Sequence, residues 1–588
     1  MIQSSGRQVS ISQIALPTEN GQHLAATLFK PKTATEENPA PFIVVVPGFQ
    51  RSKEALANIA IELSRRGFVV ASIDPYGQGF SSSSMSTRSA THEGYGLFAL
   101  VDYAASTGNL NYIDRSRIGA TGHSAGGNAA IRGANYFGRE AERTGALSKL
   151  HSVFVSGYVL TLRKSVLKDV QSNIGVSYAL YDEGAFRNKL KNGDMRIAPE
   201  ALAVVNSGRG KGLKSIRAVV PGRFYGDLDK RALRVVHNEP LLHPFQPYNG
   251  EATANQIAYF EHVFNHSSGL ATHDQIWHWK ELFGLVAFVI SLIAIIPLGR
   301  ILLTTTTFHS LVHRVPEAAP VPTGTGRIIF WSLFFVGAAI ACASFIPMVD
   351  ISKSLFVAAS NRHQTWFFPQ RMNNPVMLWA LFNGLIGLAL FYLSYRFYGR
   401  MHGANPKNWG VRIDRNELVL TVIAALIIFS LYYLTLFFIN YLFQVDYRFW
   451  FIGARVFQPE MLILLGMYVP FFLVFFMANS LRVNAAMRFK DELEWKSMLL
   501  AGIANSLGLF FIIFIQYTVF SFTGTVYWTQ NWLYINLLFG IVPVMFILPY
   551  FNRYFFKMTG KIYLGPLVTC LIFIMILLTN TVCYIPIK

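Results

Sequence analysis

Eight long apolar runs dominate the C-terminal half of this 588-residue chain, at about 282–304, 328–349, 376–396, 418–441, 459–480, 498–520, 531–550 and 563–585. About 20 apolar residues carry an α-helix across a bilayer core. The first run, opening Leu282-Phe283-Gly284-Leu285, meets no charge before Arg300. Helices buried in a soluble core are shorter and keep a polar stripe. The runs therefore predict an all-α transmembrane bundle of about eight helices over 276–588, multi-pass in the cell membrane. The chain is 52% hydrophobic and only 14% charged, where soluble chains run near 25% charged. Three cysteines exclude a disulfide scaffold. The net charge of +19 belongs with basic loops between spans, so no nucleic-acid partner is expected.

Residues 1–275 are ordinary by comparison, with 29 Lys/Arg against 22 Asp/Glu. Phe42–Val46 is a continuous apolar run ended by Pro47-Gly48, as in a strand covered on both faces. Ser52 reads as an N-cap for a helix from Lys53 to Arg66, which Gly67 ends. Phe68–Asp74 is the next strand, then come a helix near 92–106 and the strand Arg117–Thr121. His151–Val155 is a further strand. Strands alternating with helices at this spacing predict an α/β layer with a parallel sheet and right-handed crossovers.

Gly122-His123-Ser124-Ala125-Gly126-Gly127 follows one of those strands and opens a small-residue helix. The Gly-x-Ser-x-Gly pattern in this context turns the backbone sharply and projects the serine hydroxyl from the strand end. Together with Pro47-Gly48-Phe49-Gln50 and Asp74-Pro75-Tyr76-Gly77-Gln78-Gly79, the motif makes residues 1–270 resemble an α/β-hydrolase domain. The resemblance is to the broad group of dienelactone hydrolases, acyl-thioester hydrolases and small esterases. It implies a Ser–acid–His triad in that chain order, with oxyanion donors at the Phe49 and Ala125 backbone N–H groups. The family usually has His or a similar residue where this chain has Pro47.

On that basis the nucleophile is Ser124. The acid follows the strand-like Ile174–Tyr181 and is Asp182, with Glu183 as the alternative. The base lies between the strand Arg234–Val236 and the helix Ala254–Phe264. His243, in His243-Pro244-Phe245, is preferred, and His237 at the strand end is the alternative. The stretch 184–233 exceeds a minimal core and holds 11 Lys/Arg (among them Arg187, Lys189, Lys191, Arg209, Lys211 and Lys214) against four acids. A basic insertion of this kind suits an anionic headgroup or a bilayer surface.

The apolar half carries little chemistry of its own. Glu460 lies at the start of one run, and Asn440, Asn505 and Gln516 are merely polar. Cys342, Cys570 and Cys583 read as packing residues. Nothing implies a metal or a cofactor. The bundle is expected to act by position, as an anchor, a lipid-access chamber or a surface for a second copy or protein partner. Trp277, Trp279 and Lys280 would form its interfacial anchor.

Orientation is read in opposite ways by two features. Loops after spans one, three, five and seven carry 15 Lys/Arg and the others six, which puts the N-terminal half outside. Met1–Ser12 is polar and unlike a secretory signal, which favours the cytoplasm. The expected activity is hydrolysis of an ester or thioester of a lipid or apolar acyl compound. An acyltransferase using the same acyl-enzyme, and a transporter or assembly subunit with a merely ligand-binding α/β half, are the alternatives.

Overall fold

The computed structural model of the chain describes residues 1–210 and 213–587; Lys211 lies outside the described residues. The N-terminal half is built on eight strands: β1 (Val9–Pro17), β2 (His23–Pro31), β3 (Ala40–Val46), β4 (Val69–Ile73), β5 (Ile113–His123), β6 (Ser152–Ser156), β7 (Asn173–Ser177) and β8 (Arg234–His237). Their order in the sheet is β1-β2-β4-β3-β5-β6-β7-β8. β2 pairs antiparallel with β1 and β4, and every later pairing is parallel.

Five helices cover the sheet: α1 (Ala57–Arg65), α2 (Leu97–Ser106), α3 (Ala125–Thr144), α4 (Pro199–Ser207) and α5 (Gly250–Val263). The side chains of β3 show how. Phe42, Val44 and Val46 pack with α2, α3 and α4, while Ile43 and Val45 pack with α1 and α5. A strand buried on both faces has no polar side, which is why its sequence is an unbroken apolar run. Ser52 makes no capping hydrogen bond, because a 3₁₀ turn over Lys53–Leu56 precedes α1.

The C-terminal half contains α6 (Trp277–Leu303), α7 (Thr325–Leu355), α8 (Asn373–Phe397), α9 (Arg415–Phe443), α10 (Glu460–Leu481, continued by a π-turn to Ala486), α11 (Glu494–Thr523), α12 (Trp532–Thr559) and α13 (Leu564–Thr579). A small hairpin, β9 (Tyr447–Phe449) with β10 (Ile452–Ala454), joins α9 to α10. Seven of these helices, α6 to α12, are long and apolar enough to cross a membrane. The expected eighth is not of that length. α13 has 16 residues, about 24 Å at 1.5 Å per residue, against a core of about 30 Å. Its sequence stays apolar to Ile585, but Asn580 turns its amide onto the Ile576 and Gly453 carbonyls. The chain then runs back to the N-terminal half, where the Cys583 N–H donates to Gly77 O at 2.6 Å.

The entry to α6 also differs from expectation. Trp277 is 6% exposed, and its backbone N–H, like that of Ile276, donates to the buried Glu62 carboxylate. Trp277 therefore clamps the two halves together, and only Trp279 faces outward.

Candidate active site

The C-terminal ends of the parallel strands collect at one edge of the sheet, where ligands bind in folds of this kind. β5 ends at His123, and Ser124 takes φ 57° and ψ −120° before α3 begins. Such a conformation costs a non-glycine residue about 1–3 kcal/mol and persists only where the surroundings enforce it. Close backbone approach enforces it here. A Cβ on Gly126 would lie 1.9 Å from Val46 O, and one on Gly122 2.4 Å from the Gly126 carbonyl carbon. The Ser124 N–H donates to Ser156 O at 2.8 Å, which leaves Oγ aimed away from the sheet.

Three sequence-selected side chains meet there. His243 Nε2 lies 3.0 Å from Ser124 Oγ, and its Nδ1 lies 2.6 Å from Asp182 Oδ2. Asp182 Oδ1 is held by the Gly184 N–H at 2.8 Å. Asp182 is 1% and His243 6% exposed. Burial alone would push the imidazole down, but the Asp182 charge and hydrogen bond, with the Glu183 charge, outweigh it and hold His243 above its ordinary value.

Neither alternative occupies the triad position. Glu183 turns away from the ring; its Oε2 accepts the His243 backbone N–H at 2.8 Å and its Oε1 accepts the Tyr517 hydroxyl of α11. His237 ends β8 with its ring tilted against Phe154, and burial pushes it down to about 4.

The two expected oxyanion donors flank the serine. A Cβ on Gly48 would sit 3.1 Å from Ser124 Cβ, so the Gly48-Phe49 turn lies against the elbow. Among the described residues neither the Phe49 nor the Ala125 N–H is engaged by another backbone carbonyl. Beside the serine, the His123 ring tilts on His243 at 4.7 Å, and burial with the His243 and Arg51 charges pushes it far down.

Sequence reasoning missed what closes the site. The cavity at Ser124 is about 60 Å³ and is walled partly by Leu533, Asn536 and Leu537 of α12. Trp532, at the start of α12, sits edge-on to His243 at 5.6 Å, and Arg187 lies over its indole at 5.1 Å. At least one arginine of the basic insertion thus packs against the roof. No sequence signal links residues some 300 positions apart. The bundle contributes a wall, beyond the purely positional role expected of it.

A buried charge cluster fastens the two halves beside this edge. Arg455, 3% exposed, places Nη2 2.9 Å from Glu54 Oε1 and 3.1 Å from Asp74 Oδ2. Lys53 reaches Asp74 at 3.0 Å. Tyr248 stacks on Trp450 of the β9–β10 turn at 5.5 Å.

Residues 3–145 match the family described as PET hydrolase-like. That segment includes Ser124 and stops before Asp182 and His243. The N-terminal half has the α/β-hydrolase fold. Its strand order and serine elbow establish this. No curated protein matches the chain. Among solved structures, a hypothetical protein of Pseudomonas aeruginosa is 23% identical with TM-score 0.22, over 27% of this chain and 46% of its own. The chain thus spans less than half of that protein. An esterase of Pyrococcus furiosus is 11% identical with TM-score 0.31, over 45% of this chain and 95% of its own. Dipeptidyl peptidase 4 of Porphyromonas gingivalis is 15% identical with TM-score 0.31, over 44% and 36% respectively. Among the described residues no three His, Cys, Asp or Glu side chains are grouped to hold a metal.

Proposed function

We propose that the protein is a membrane-embedded serine hydrolase that cleaves an ester or thioester of an apolar acyl compound. The observation that carries the reading is the Asp182–His243–Ser124 hydrogen-bond chain at a strained strand-to-helix turn. In this mechanism His243 Nε2 takes the Ser124 proton as Oγ attacks the acyl carbon. Asp182 fixes the tautomer and stabilises the imidazolium, and the Phe49 and Ala125 N–H groups hold the oxyanion. The imidazolium then protonates the leaving group. Water, activated by the same imidazole, releases the acid. A strained serine confers nothing on a pure binding module, which weighs against the transporter or assembly-subunit reading.

The substrate class rests on the walls of the site. A cavity of about 60 Å³ holds a few waters, whereas sites for drug-sized ligands occupy about 300–1,000 Å³. A narrow cavity walled by Leu533 and Leu537, with Trp532 edge-on to His243, suits an extended acyl chain better than the face of a solid polymer. The seven long helices support a bilayer setting in which such chains are abundant. A fluorophosphonate probe should label the full chain at Ser124, and Ser124→Ala should abolish both labelling and turnover of acyl esters. An unlabelled but correctly folded protein would return the binding-module reading to first place.

A further inference from the structure

A second cavity lies in the helical bundle, at its end remote from Ser124. α10 starts at Glu460 beside the interface and, 22 residues long, ends at Leu481, about 32 Å away. Arg482 opens the π-turn that follows. The apolar run in the sequence stops at residue 480, so hydropathy places Arg482 in a loop, yet the helix continues through it. Short π segments of this kind are frequent at functional sites.

The cavity is about 170 Å³ and lies between α7, α8, α10 and α11. Phe330 and Ser394 mark its outer end, and Ala341 and Trp379 its inner end. From Phe330 to Ala341 along α7 is about 16 Å. An apolar cavity of about 150 Å³ admits benzene, so this one has room for a length of acyl chain.

Arg482 is the cationic group in this lining. Its Nη2 donates to Asn505 Oδ1 at 2.9 Å, while its buried Nε has no partner among the described residues. No carboxylate pairs with it among those residues. The neighbouring Arg553, by contrast, has Glu494 at 3.0 Å. The amides below are committed to protein partners, Asn479 to Asn505 and Asn505 to the Met545 carbonyl. A half-buried guanidinium whose Nε is buried without a partner, at the mouth of a largely apolar slot, suits an anion attached to a chain.

We propose that this slot binds one anionic phospholipid of the adjacent leaflet, its phosphate on Arg482 and an acyl chain between α7 and α8. The proposal rests on the reading that the bundle spans a bilayer, and is independent of the chemistry at Ser124. The leaflet is a better source than the acid released at Ser124, because the slot opens at the opposite end of the bundle. At that end lie the loops after spans one, three, five and seven, which hold 15 of the loop and flank Lys/Arg against six elsewhere. Hydrogen bonds between them, such as Lys490 N–H to Ala319 O and Ile562 N–H to Gly410 O, show that they share one face. Basic faces of this sort adjoin leaflets rich in anionic lipid.

Native mass spectrometry of the full chain, released from nanodiscs or detergent, tests this with palmitoyl-oleoyl phosphatidylglycerol, phosphatidylcholine of the same chains, and oleate. One phosphatidylglycerol should stay bound under activation that strips phosphatidylcholine. Arg482→Gln should weaken its retention about tenfold, the loss of one charge-assisted contact, and Arg482→Lys should largely keep it. Gly337→Leu provides an independent variant. A Cβ at Gly337 meets nothing within 4 Å, so leucine there narrows the slot while Arg482 stays in place, and it should also weaken retention. Equal retention of both phospholipids, retention unchanged in both variants, or retention of oleate alone would each overturn the proposal. A chain that does not enter nanodiscs at all would overturn the bilayer reading, and this site with it.

Discussion

Arg455→Ala tests how the bundle is fastened to the catalytic edge. One guanidinium serves three carboxylates, at 2.9 Å (Glu54), 3.1 Å (Asp74) and 3.8 Å (Asp446). Without it, Lys53, Arg448 and Lys280 remain as counterions, with Asp74 and Asp446 buried and Glu54 partly open to a cavity of about 490 Å³. Removing one partner of a buried pair costs about 3–5 kcal/mol, since the other charges stay buried. Against domain stabilities of about 5–15 kcal/mol, that loosens the junction. The loss has a defined pH dependence. Burial and the Glu54 charge, opposed by Arg455, already hold Asp446 up at about 6. Stripped of Arg455, Asp446 rises further above its unfolded value of about 4, and Glu54, held low against burial by the Arg455 and Lys53 charges, moves up. A raised folded value means the penalty grows as pH rises through it and fades below it. The variant should therefore unfold on the order of 5 °C early at pH 8 and distinctly less early at pH 5. Thermal unfolding of the full chain at both pH values, with cleavage at the 265–276 link as a second readout, measures this. Equal melting of variant and parent at pH 8, or a deficit independent of pH, would refute the reasoning.

Further outcomes follow from the site. His243→Ala should cut turnover by several orders of magnitude, because triad members act as a unit. His237→Ala should leave rates within about threefold, since ordinary changes outside such sites are small; steady-state kinetics distinguishes the two. The acid limb of kcat/KM should lie above the ordinary imidazole value of about 6.5, as His243 must be neutral to accept the proton and is held high. Asp182→Asn should move that limb downward and lower kcat by about 10³–10⁴-fold, which a pH–rate profile reads. Gly126→Ala puts a Cβ 1.9 Å from Val46 O and should cost at least about 1–3 kcal/mol, with fluorophosphonate labelling lost. Trp532→Ala should favour long-chain over acetyl esters by opening the roof, and an unchanged chain-length preference would argue against that roof.

Much of the candidate site was legible because its signals are local. The elbow needs glycines within two residues of Ser124, and β3 needs an apolar run because both its faces are covered. The acid and base follow strand ends, so chain order narrows each to a pair. Within each pair the sequence had no means of choosing by composition. Asp182 and Glu183 are adjacent carboxylates, yet the shorter one meets Nδ1 and the longer one reaches past to the His243 backbone. Hydropathy likewise measures apolar length alone. It could not tell that the run after Thr579 leaves the helix to pair with Gly77, or that Arg482 stays inside one.

The roof over Ser124 belongs to neither half alone. Glu183 is where the two meet chemically: one oxygen accepts the His243 N–H and the other the Tyr517 hydroxyl. Burial pushes this carboxyl up, so its donors matter more than they would in water. A shift of α11 or α12 therefore reaches the imidazole by two routes, through Tyr517 to the backbone of His243 and through Trp532 to its ring. With water confined to a small volume, the proposed oxyanion donors at Phe49 and Ala125 would act at low dielectric, where such dipoles stabilise an oxyanion most. Admitting an acyl chain requires that same roof to move. Under the proposed function, substrate entry and alignment of the base are thus linked through one pair of helices, so the apolar half would take part in catalysis while supplying none of the three side chains.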